Sequence, residues 1–323
     1  MRAMRAMQFG AESLFVLDDI PKPEPSPDRV LVRVSAAGVT PLDHTILTGH
    51  FPQASAPLVL GNEGAGVVEA GGDRQFPNGS RVVFTGPYGV FENGSLSEWV
   101  AVKRDHLCAI PDNVDDTAAA GLPVAYLTAQ IALSAAGFTA GKVVLAPAIG
   151  GSVGNAVTQL ARAQGAKHAI SSSSSHAKAN RARELGFQEV VDLSQESLTD
   201  GVRRLTDGYG VDVVIDALGG EVLSEALGLL AQGGSLTTLG YAAGRKTTID
   251  VTDLIWKGAD IRSFLLFAQP PSVWANAWKK IAALLAAGQI RPIVARTFPL
   301  EEAAEALRYL VEERPLGRVV VTL

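Results

Sequence analysis

The stretch from Gly141 to Gly154 constrains the fold more than any other part of the chain. It reads Gly-Lys-Val-Val-Leu-Ala-Pro-Ala-Ile-Gly-Gly-Ser-Val-Gly, an apolar run that passes directly into a glycine-rich turn. This pattern predicts a buried strand, then a turn that opens a helix. Gly151 and Gly154 stand at the second and third glycine positions of the dinucleotide fingerprint, where the backbone approaches phosphate and the helix packs on its strand. A pyrophosphate site at the helix N-terminus is therefore expected.

The turn departs from the fingerprint at its first position. Ile149 stands there in place of glycine, and Gly150 is the nearest substitute. This departure affects how tightly the turn would pass the pyrophosphate, because a bulky residue replaces the one that makes the turn tight. The residues predicted to contact the pyrophosphate are Gly150, Gly151, Ser152, Val153 and Gly154.

Helical and strand-like segments alternate after the turn. The patterns predict helices over residues 155–164, 176–185, 196–205 and 220–231. They predict strands over residues 167–171, 190–191, 211–217, 236–239 and 261–267. Because these strands are almost entirely apolar, we expect an α/β domain with a parallel sheet covered by helices on both faces. The simpler alternative is such a domain without a cofactor.

The N-terminal third has the texture of an irregular β domain. Glycines and prolines crowd residues 38–94, between strand-like segments at 30–34, 66–69 and 81–84. At the other end, residues 298–313 predict an amphipathic helix and residues 318–323 a last strand. That strand needs a sheet, and the N-terminal β domain is the expected host. We therefore predict a cofactor domain over residues 123–267, inserted between residues 1–122 and 268–323 of a second domain.

Composition excludes several functional classes. Charged residues make up 19% of the chain and the net charge is -5, so no basic footprint for nucleic acid or an anionic membrane is present. No apolar run approaches the roughly 20 residues that a membrane-spanning helix needs. The single cysteine, Cys108, rules out an internal disulfide framework. Because the first seven residues also lack the apolar core of a signal peptide, a cytoplasmic location is expected.

Three runs, taken together and in this order, resemble a known superfamily. They are Ala-Ala-Gly-Val-Thr-Pro-Leu-Asp-His at residues 36–44, Gly-Asn-Glu-Gly-Ala-Gly-Val-Val at 61–68 and Leu-Pro-Val-Ala-Tyr-Leu-Thr-Ala at 122–129. They look like the medium-chain dehydrogenase/reductase superfamily, and within it the zinc-independent quinone oxidoreductase branch, of which zeta-crystallin is typical. The resemblance implies a GroES-like catalytic domain, a Rossmann domain, a cleft between them, and NADPH as the electron donor.

The residues at the zinc positions of related enzymes argue against a metal here. In zinc-dependent relatives a cysteine occupies the place of Thr40, a histidine that of Asn62, and a proton-relaying hydroxyl residue that of Leu42. Hydroxyl and amide groups are poor zinc ligands beside thiolate and imidazole, and the four cysteines of the relatives' structural zinc lobe are missing. No metal site is therefore expected. The alternative, an accidental site, would use Asp43, His44, His50 and Glu63.

Cofactor choice depends on the second strand after the turn. About twenty residues past the turn, an NAD enzyme carries an acidic residue that binds the ribose 2′-hydroxyl. This chain instead has a serine run at 171–175, followed by His176 and Lys178. The resemblance aligns Lys178 with a lysine directed at the 2′-phosphate, and Ser172, Ser173 and Ser174 are predicted beside it. NADP(H) is favoured, and the alternative is a flexible serine turn with a solvated lysine.

The resemblance implies further cofactor contacts. Thr128 matches a threonine near the nicotinamide, with an ordinary helix-surface threonine as the alternative. Leu265 and Phe267 match a backbone stretch that holds the carboxamide, with core packing as the alternative. Segments that end predicted strands at the sheet's carboxyl edge, where open α/β sheets bind ligands, supply Ala217, Leu218, Gly240 and Tyr241.

The implied chemistry is hydride transfer to an electron-poor carbon, which depends mainly on positioning and water exclusion. Thr40 and Asn62 would donate hydrogen bonds to the developing oxyanion. Asp43 is the third candidate catalytic residue, although it would also serve as a structural helix cap. Phe51 and Tyr88, with Trp99, are candidates for an apolar pocket. As single aromatic residues they also fit a core.

These observations favour a zinc-free, NADPH-dependent reductase of quinones or α,β-unsaturated carbonyls. Three alternatives remain open: an alcohol or aldehyde dehydrogenase, a non-catalytic NADPH-binding protein of the crystallin kind, and an enoyl-thioester reductase that would use the basic pair Arg245 and Lys246. The apolar strand at 261–267 would be the edge of the cofactor sheet. Since an open apolar edge invites pairing with another chain, a homodimer is expected.

Overall fold

The computed structural model describes all 323 residues, which form sixteen strands and ten α-helices. The strands are β1 (Arg2–Gln8), β2 (Leu14–Asp19), β3 (Arg29–Val39), β4 (Leu58–Val59), β5 (Glu63–Ala70), β6 (Arg81–Thr85), β7 (Trp99–Lys103), β8 (Leu107–Ala109), β9 (Val143–Ala146), β10 (His168–Ser173), β11 (Val190–Asp192), β12 (Val211–Asp216), β13 (Leu230–Thr238), β14 (Asp260–Ser263), β15 (Val294–Pro299) and β16 (Arg318–Thr322). The helices are α1 (Pro41–Leu47), α2 (Asp116–Ala120), α3 (Pro123–Ala135), α4 (Ser152–Ala163), α5 (His176–Glu184), α6 (Leu198–Leu205), α7 (Gly220–Gly228), α8 (Val251–Lys257), α9 (Pro271–Ala286) and α10 (Ala303–Glu313).

The chain divides into two compact units. The first comprises Met1–Val124, Pro270–Ala286 and Arg291–Leu323, and the second comprises Ala125–Gln269 with Ala287–Ile290. The second unit is thus an insertion within the first. The short segment Ala287–Ile290 groups with the second unit, whereas the sequence assigned it to the first.

The second unit is an α/β unit built on one parallel sheet. Its strand order is β11-β10-β9-β12-β13-β14, and every neighbouring pair is parallel. The chain runs outward from β9 in one direction and then returns to build β12 to β14 on the other side. This order is that of a doubly wound dinucleotide-binding sheet, which confirms the predicted fold class. Fully buried apolar side chains of four strands and two helices form its core: Leu145, Ile170, Val202, Val214, Leu227 and Leu236.

The first unit contains two sheets that are mainly antiparallel. A three-stranded sheet has the order β2-β1-β4, and a seven-stranded sheet has the order β15-β16-β3-β5-β6-β8 with β7 also paired to β3. The C-terminal strand β16 pairs antiparallel with β3, matching Val320 with Gly38. The last strand therefore lies in the sheet of the N-terminal part, where its apolar residues are buried.

Several predicted elements are wrong at their ends, and three of them show the reason. The strand predicted to reach Phe267 stops at Ser263, and a 3₁₀ turn follows at Leu266–Ala268. The helix predicted from Phe298 begins only at Ala303, because the buried Phe298 belongs to β15. The helix predicted over 220–231 ends at Gly228, and Leu230 already opens β13. In each case a short apolar run fits both the helical and the strand periodicity. Pairing with neighbouring strands in the tertiary structure therefore decides which element forms.

None of the ten helices is both long enough and apolar enough to span a lipid bilayer.

Candidate functional site

The predicted catalytic residues Thr40 and Asn62 lie at one end of the seven-stranded sheet. β3 ends at Val39 and β5 begins at Glu63, and the two strands are antiparallel with Gly38 opposite Glu63. The residue after one strand and the residue before the other therefore meet at the same sheet edge. Thr40 is also the N-cap of α1, so the helix starts at this edge.

Asp43 links the two segments through its buried carboxylate. Its Oδ2 accepts hydrogen bonds from the backbone N of Thr40 at 2.7 Å and from the Thr40 hydroxyl at 2.8 Å. Its Oδ1 accepts from the backbone N of Gly61 at 2.9 Å. The bond to the Thr40 N–H is that of a capping box, so the helix-cap interpretation describes part of its role. Burial raises the pKa of Asp43, and the hydrogen bonds from Thr40 and Gly61 oppose this only in part.

The hydrogen bond between Thr40 and Asp43 corrects the simplest role expected for Thr40. The Thr40 hydroxyl donates its one proton to Asp43 Oδ2. While Asp43 is ionised, that hydroxyl has no second proton to offer a substrate oxygen. Donation by Thr40 therefore requires a proton on Asp43, which the raised pKa of this carboxyl favours.

Asn62 offers an unsatisfied polar group beside this cluster. Its side chain is buried, and its Oδ1 has no hydrogen-bond partner. Its backbone carbonyl accepts from the Thr85 hydroxyl at 2.8 Å, which anchors the segment to β6. The preceding Gly61 has a φ of +97°, and a Cβ there would lie 2.5 Å from Ser95 Oγ. Only glycine fits at position 61. The backbone conformation of Gly61 in turn sets the direction in which the next side chain, that of Asn62, leaves the chain.

Glu63, which the sequence left as an alternative metal ligand, is engaged elsewhere. Its Oε2 accepts from the backbone N of Val124 at 2.7 Å, and its carboxylate forms a buried ion pair with Arg318. No group of three or more His, Cys, Asp or Glu side chains in the chain is arranged to hold a metal ion. No sequence pattern indicates the pair with Arg318, because that partner lies far away in the sequence, on the C-terminal strand.

Of the aromatic residues predicted to line a pocket, only Phe51 is still a candidate, because Tyr88 and Trp99 have other contacts. Tyr88 is a core residue, since its ring packs edge-on against Phe84 and its hydroxyl is shared between the Lys103 N–H and His106. Trp99 donates to Glu69 at 2.7 Å and lies under the Lys22 ammonium. Phe51 is partly buried, 6.1 Å from the ring of the exposed Phe91, a residue that the sequence analysis missed.

In the second unit, the predicted turn follows β9 and opens α4. Ala148 has a φ of +65°, and the Gly151 N–H closes the turn on the Ala148 carbonyl at 2.9 Å. The left-handed residue is thus Ala148, not one of the glycines. A Cβ on Gly154 would lie 2.5 Å from the Ala148 carbonyl and 2.7 Å from that of Pro147. Gly154 therefore has the close packing between helix and turn that the third fingerprint glycine requires.

The N-terminus of α4 fits a dinucleotide pyrophosphate. No side chain caps this twelve-residue helix, whose N-cap is Gly151. The N–H groups of Ser152, Val153 and Gly154 are in the first turn, where a helix has no internal acceptors. The remaining predicted glycine, Gly150, is half-buried in the turn before them. The first turn of this uncapped helix has free N–H groups, and Gly154 keeps that turn close to the preceding strand. These N–H groups are the hydrogen-bond donors that a phosphate group needs.

The serine run occupies the carboxyl end of β10 but is not uniformly available. Ser172 ties the turn to the sheet, since its carbonyl accepts from Ile149 N at 2.8 Å and its hydroxyl from Ala148 N at 3.3 Å. The Ser173 hydroxyl donates to the Ser175 carbonyl at 3.0 Å. Ser174 is exposed, and Lys178 is half-buried in the first turn of α5. Of the three predicted serines, Ser174 is thus the one open to a ligand.

Asp216, the first residue of the segment 216–220 that the sequence placed at the carboxyl edge of the sheet, organises the loops after β12 and β13. Its buried carboxylate accepts from the N–H groups of Leu218 and Gly219 at 2.9 and 3.1 Å, and from the Thr238 hydroxyl at 3.1 Å. These bonds bring together four of the predicted contact residues at the carboxyl edge of the sheet. Those residues are Ala217 and Leu218 after β12, and Gly240 and the exposed Tyr241 after β13.

The last predicted contacts lie apart from these loops in the chain. Thr128 is buried on α3, so it is not the surface threonine of the alternative interpretation. Leu265 is 62% exposed and Phe267 is 38% exposed. Core packing, the alternative for these two residues, is therefore wrong for Leu265 in particular. Both belong to the segment that leaves the edge strand β14.

Comparisons with known proteins agree with this architecture. Residues 26–112 match the family model of the alcohol dehydrogenase GroES-like domain, and residues 152–283 match that of the zinc-binding dehydrogenases. A quinone oxidoreductase of Pseudomonas aeruginosa is 32% identical over 97% of this chain and 97% of its own. The chloroplastic NADPH-dependent alkenal/one oxidoreductase of Arabidopsis thaliana is 31% identical, over 99% of this chain and 79% of the relative.

Among solved structures, the quinone oxidoreductase of Thermus thermophilus, also determined in complex with NADPH, superimposes with a TM-score of 0.85. It is 29% identical, and the match covers all of both chains. The two domain matches, the full-length relatives and the shared fold lead to one conclusion. The chain belongs to the medium-chain dehydrogenase/reductase superfamily, in its quinone oxidoreductase-like branch.

Proposed function

We propose that this protein is a zinc-independent reductase that transfers hydride from NADPH to quinones or α,β-unsaturated carbonyls. The observation that carries the proposal is the cluster of Thr40, Asp43 and Asn62, which offers protons and hydrogen bonds where zinc-dependent relatives hold a metal. The names of the relatives from Pseudomonas aeruginosa and Arabidopsis thaliana support the same substrate classes. Quinones and enones accept hydride without a Lewis acid, because delocalisation stabilises the anion that forms.

The uncapped first turn of α4 would hold the cofactor's pyrophosphate, through the N–H groups of Ser152, Val153 and Gly154. Ser174 and Lys178 would contact the 2′-phosphate that distinguishes NADPH from NADH. Bound NADPH supplies the hydride. The protein's own contribution is to hold the acceptor carbon in reach and to exclude water.

The remaining step is the supply of a proton to the acceptor oxygen, which becomes negative as hydride arrives. A protonated Asp43 donates to the Thr40 hydroxyl, and Thr40 then turns its own proton toward that oxygen. Burial favours the protonated form of Asp43 by raising its pKa. Transfer of both protons leaves Asp43 ionised and the substrate oxygen neutral, and solvent then reprotonates Asp43. Asn62, whose buried amide oxygen has no partner, follows Gly61, whose N–H binds the Asp43 carboxylate.

The test is a screen of NADPH oxidation across quinones, enones and aldehydes, run with zinc analysis of the same preparation. We expect turnover of a quinone or an enone, less than stoichiometric zinc, and activity that survives a strong chelator. Activity confined to aldehydes, with about one zinc per chain, would instead establish an alcohol or aldehyde dehydrogenase. NADPH binding without turnover of any acceptor would establish the non-catalytic alternative.

A matched pair of variants localises the chemistry. Thr40→Val removes the hydroxyl while keeping the shape of the side chain, and should lower kcat with little change in NADPH affinity. Thr45→Val on the exposed side of the same helix, where the hydroxyl only donates to the Pro41 carbonyl, is the control. Equal effects of the two substitutions would place the proton path elsewhere.

A further inference from the structure

The carboxyl ends of β10 and β11 carry a histidine and carboxylate pair that the sequence analysis did not assign. The two strands are parallel neighbours, with Ser173 opposite Asp192 at their last residues. α5 begins immediately after β10, and His176 is its first residue. The pair thus lies at the same sheet edge as Ser174 and Lys178.

Asp192 is a buried carboxylate, and each of its two oxygens has a hydrogen-bond partner. Its side chain is 5% exposed. Oδ1 accepts from the N–H and the hydroxyl of Ser194, at 3.1 and 2.6 Å, and Oδ2 is 2.5 Å from His176 Nδ1. The bonds from Ser194 and then from His176 lower the pKa of Asp192, so this carboxyl is ionised at neutral pH.

The surrounding hydrogen bonds fix the orientation of the His176 ring. Arg183 Nη1 donates to Asn180 Oδ1 at 2.8 Å, so the Asn180 amide turns its NH₂ group toward His176. That NH₂ lies 2.9 Å from His176 Nε2, which must then be the acceptor. Nδ1 therefore carries the proton and donates it to Asp192. The ring is 61% exposed and covers the carboxylate from the solvent side.

A carboxylate at this edge bears directly on cofactor choice. An acidic residue near the end of the second strand is what binds the ribose 2′-hydroxyl in NAD enzymes, and it repels a 2′-phosphate. Asp192 lies one strand farther out, beside the last residue of β10. It is therefore an acidic residue close to the sheet edge at which NAD enzymes bind the ribose. Its two oxygens, however, already accept hydrogen bonds from Ser194 and His176.

We propose that His176 is a cofactor-specificity residue, which favours NADPH by covering the Asp192 carboxylate at the edge where the 2′-phosphate binds. The inference rests on the NADPH-dependent function proposed above. His176 places a neutral imidazole ring in front of the carboxylate, while Ser174 and Lys178 provide the attraction. NADPH preference then comes from a weakened repulsion as well as from a positive partner.

The experiment measures dissociation constants of NADPH and NADH by fluorescence titration, without turnover, for the wild-type protein and four variants. His176→Ala exposes Asp192, and His176→Asn retains an N–H donor close to the position of Nδ1. The double variant His176→Ala with Asp192→Asn removes both the cover and the charge. His168→Ala is the matched control, because His168 forms the same kind of pair with Glu189, at 2.5 Å, at the opposite end of β10.

We expect His176→Ala to lower the preference for NADPH over NADH by about tenfold, mainly through weaker NADPH binding. The double variant should recover the preference, and His176→Asn and His168→Ala should retain it. The inference is overturned if His176→Ala keeps the wild-type preference, if it weakens both cofactors equally, or if His168→Ala has the same effect. A wild-type protein that does not prefer NADPH would overturn the proposed cofactor as well, which separates the two failures.

Discussion

Glu63 and Arg318 form an ion pair in which both side chains are buried, and it joins the start of β5 to the start of the C-terminal strand β16. Two glycines make room for it. A Cβ on Gly38 would lie 2.6 Å from Glu63 Oε1, and a Cβ on Gly121 would lie 2.8 Å from Arg318 Cγ. Because Glu63 follows Asn62 directly and also accepts from Val124 N, this pair sets the backbone on which the candidate catalytic cluster stands.

Removing one partner of this pair should destabilise the protein strongly. Arg318→Met leaves the Glu63 carboxylate buried without its cation, and we expect a loss of about 3–5 kcal/mol in the free energy of unfolding. Chemical denaturation measures it. The control is Arg308→Met, which breaks exposed helix pairs with Glu305 and Glu312 and should leave stability nearly unchanged. A similar loss of unfolding free energy in the two variants would show that the buried pair contributes no more to stability than the exposed one.

Asp43 should make stability depend on pH in the direction opposite to that of an ordinary salt-bridged carboxylate. Burial raises its folded-state pKa above the unfolded value of about 3.9. The folded state therefore holds the proton more tightly, and the contribution is full below that value and is lost as pH rises through the folded pKa. The wild-type advantage over Asp43→Asn in unfolding free energy should thus be larger at low pH. An advantage that grows with pH would contradict the raised pKa.

Two glycines of the turn should respond differently to alanine. Gly154→Ala would put a Cβ 2.5 Å from the Ala148 carbonyl, and we expect roughly 1–3 kcal/mol of destabilisation from overpacking. At Gly151, φ is −74° and the nearest atom to a Cβ is 3.3 Å away, so Gly151→Ala should leave the melting temperature nearly unchanged. It should nevertheless weaken NADPH binding, since the backbone there approaches the phosphate. Scanning calorimetry of both variants measures the melting temperatures, and a titration with NADPH measures the binding. Equal melting temperatures for the two variants would contradict the expected difference in stability.

Lys178→Ala should weaken NADPH selectively. A charge-assisted contact with the 2′-phosphate is worth roughly 1.5–3 kcal/mol, whereas NADH offers no phosphate at that position. Fluorescence titration with both cofactors measures the difference. An equal loss for the two cofactors, or none for either, would reduce Lys178 to a structural residue of α5.

We also propose a homodimer that pairs the exposed edge strands β14 of two copies. Ile261 is exposed on β14, and the chain segments on either side of β14 carry the exposed apolar residues Leu265, Ile255 and the 76% exposed Trp256. Light scattering should give twice the 33.8 kDa chain mass. The Phe264 N–H bonds inward to Thr238, so by alternation the Ile261 N–H points outward. Ile261→Pro should therefore yield monomer. A wild-type monomer at tens of micromolar would refute the proposal.

Much of the cofactor unit was predictable, because its information is local. The glycine turn and the alternation of apolar strands with helices specify a doubly wound parallel sheet, since period and turn chemistry act between neighbours in sequence. The element ends were less predictable. Leu230 and Phe298 each lie in a short apolar run that suits helix or strand equally, and only pairing with β12 or β16 decided between them.

The sequence by itself determined the superfamily and the doubly wound sheet, and the residues expected to contact a dinucleotide remain its predictions. The tertiary structure alone decided which partners several polar and aromatic side chains have. It assigned the Thr40 proton to Asp43, gave Glu63 to Arg318, moved Tyr88 into the core and set His176 over Asp192. Each of these pairs depends on the close approach of side chains on different elements, or on burial, which changes the cost of a charge. Neither quantity is carried by residue type or spacing.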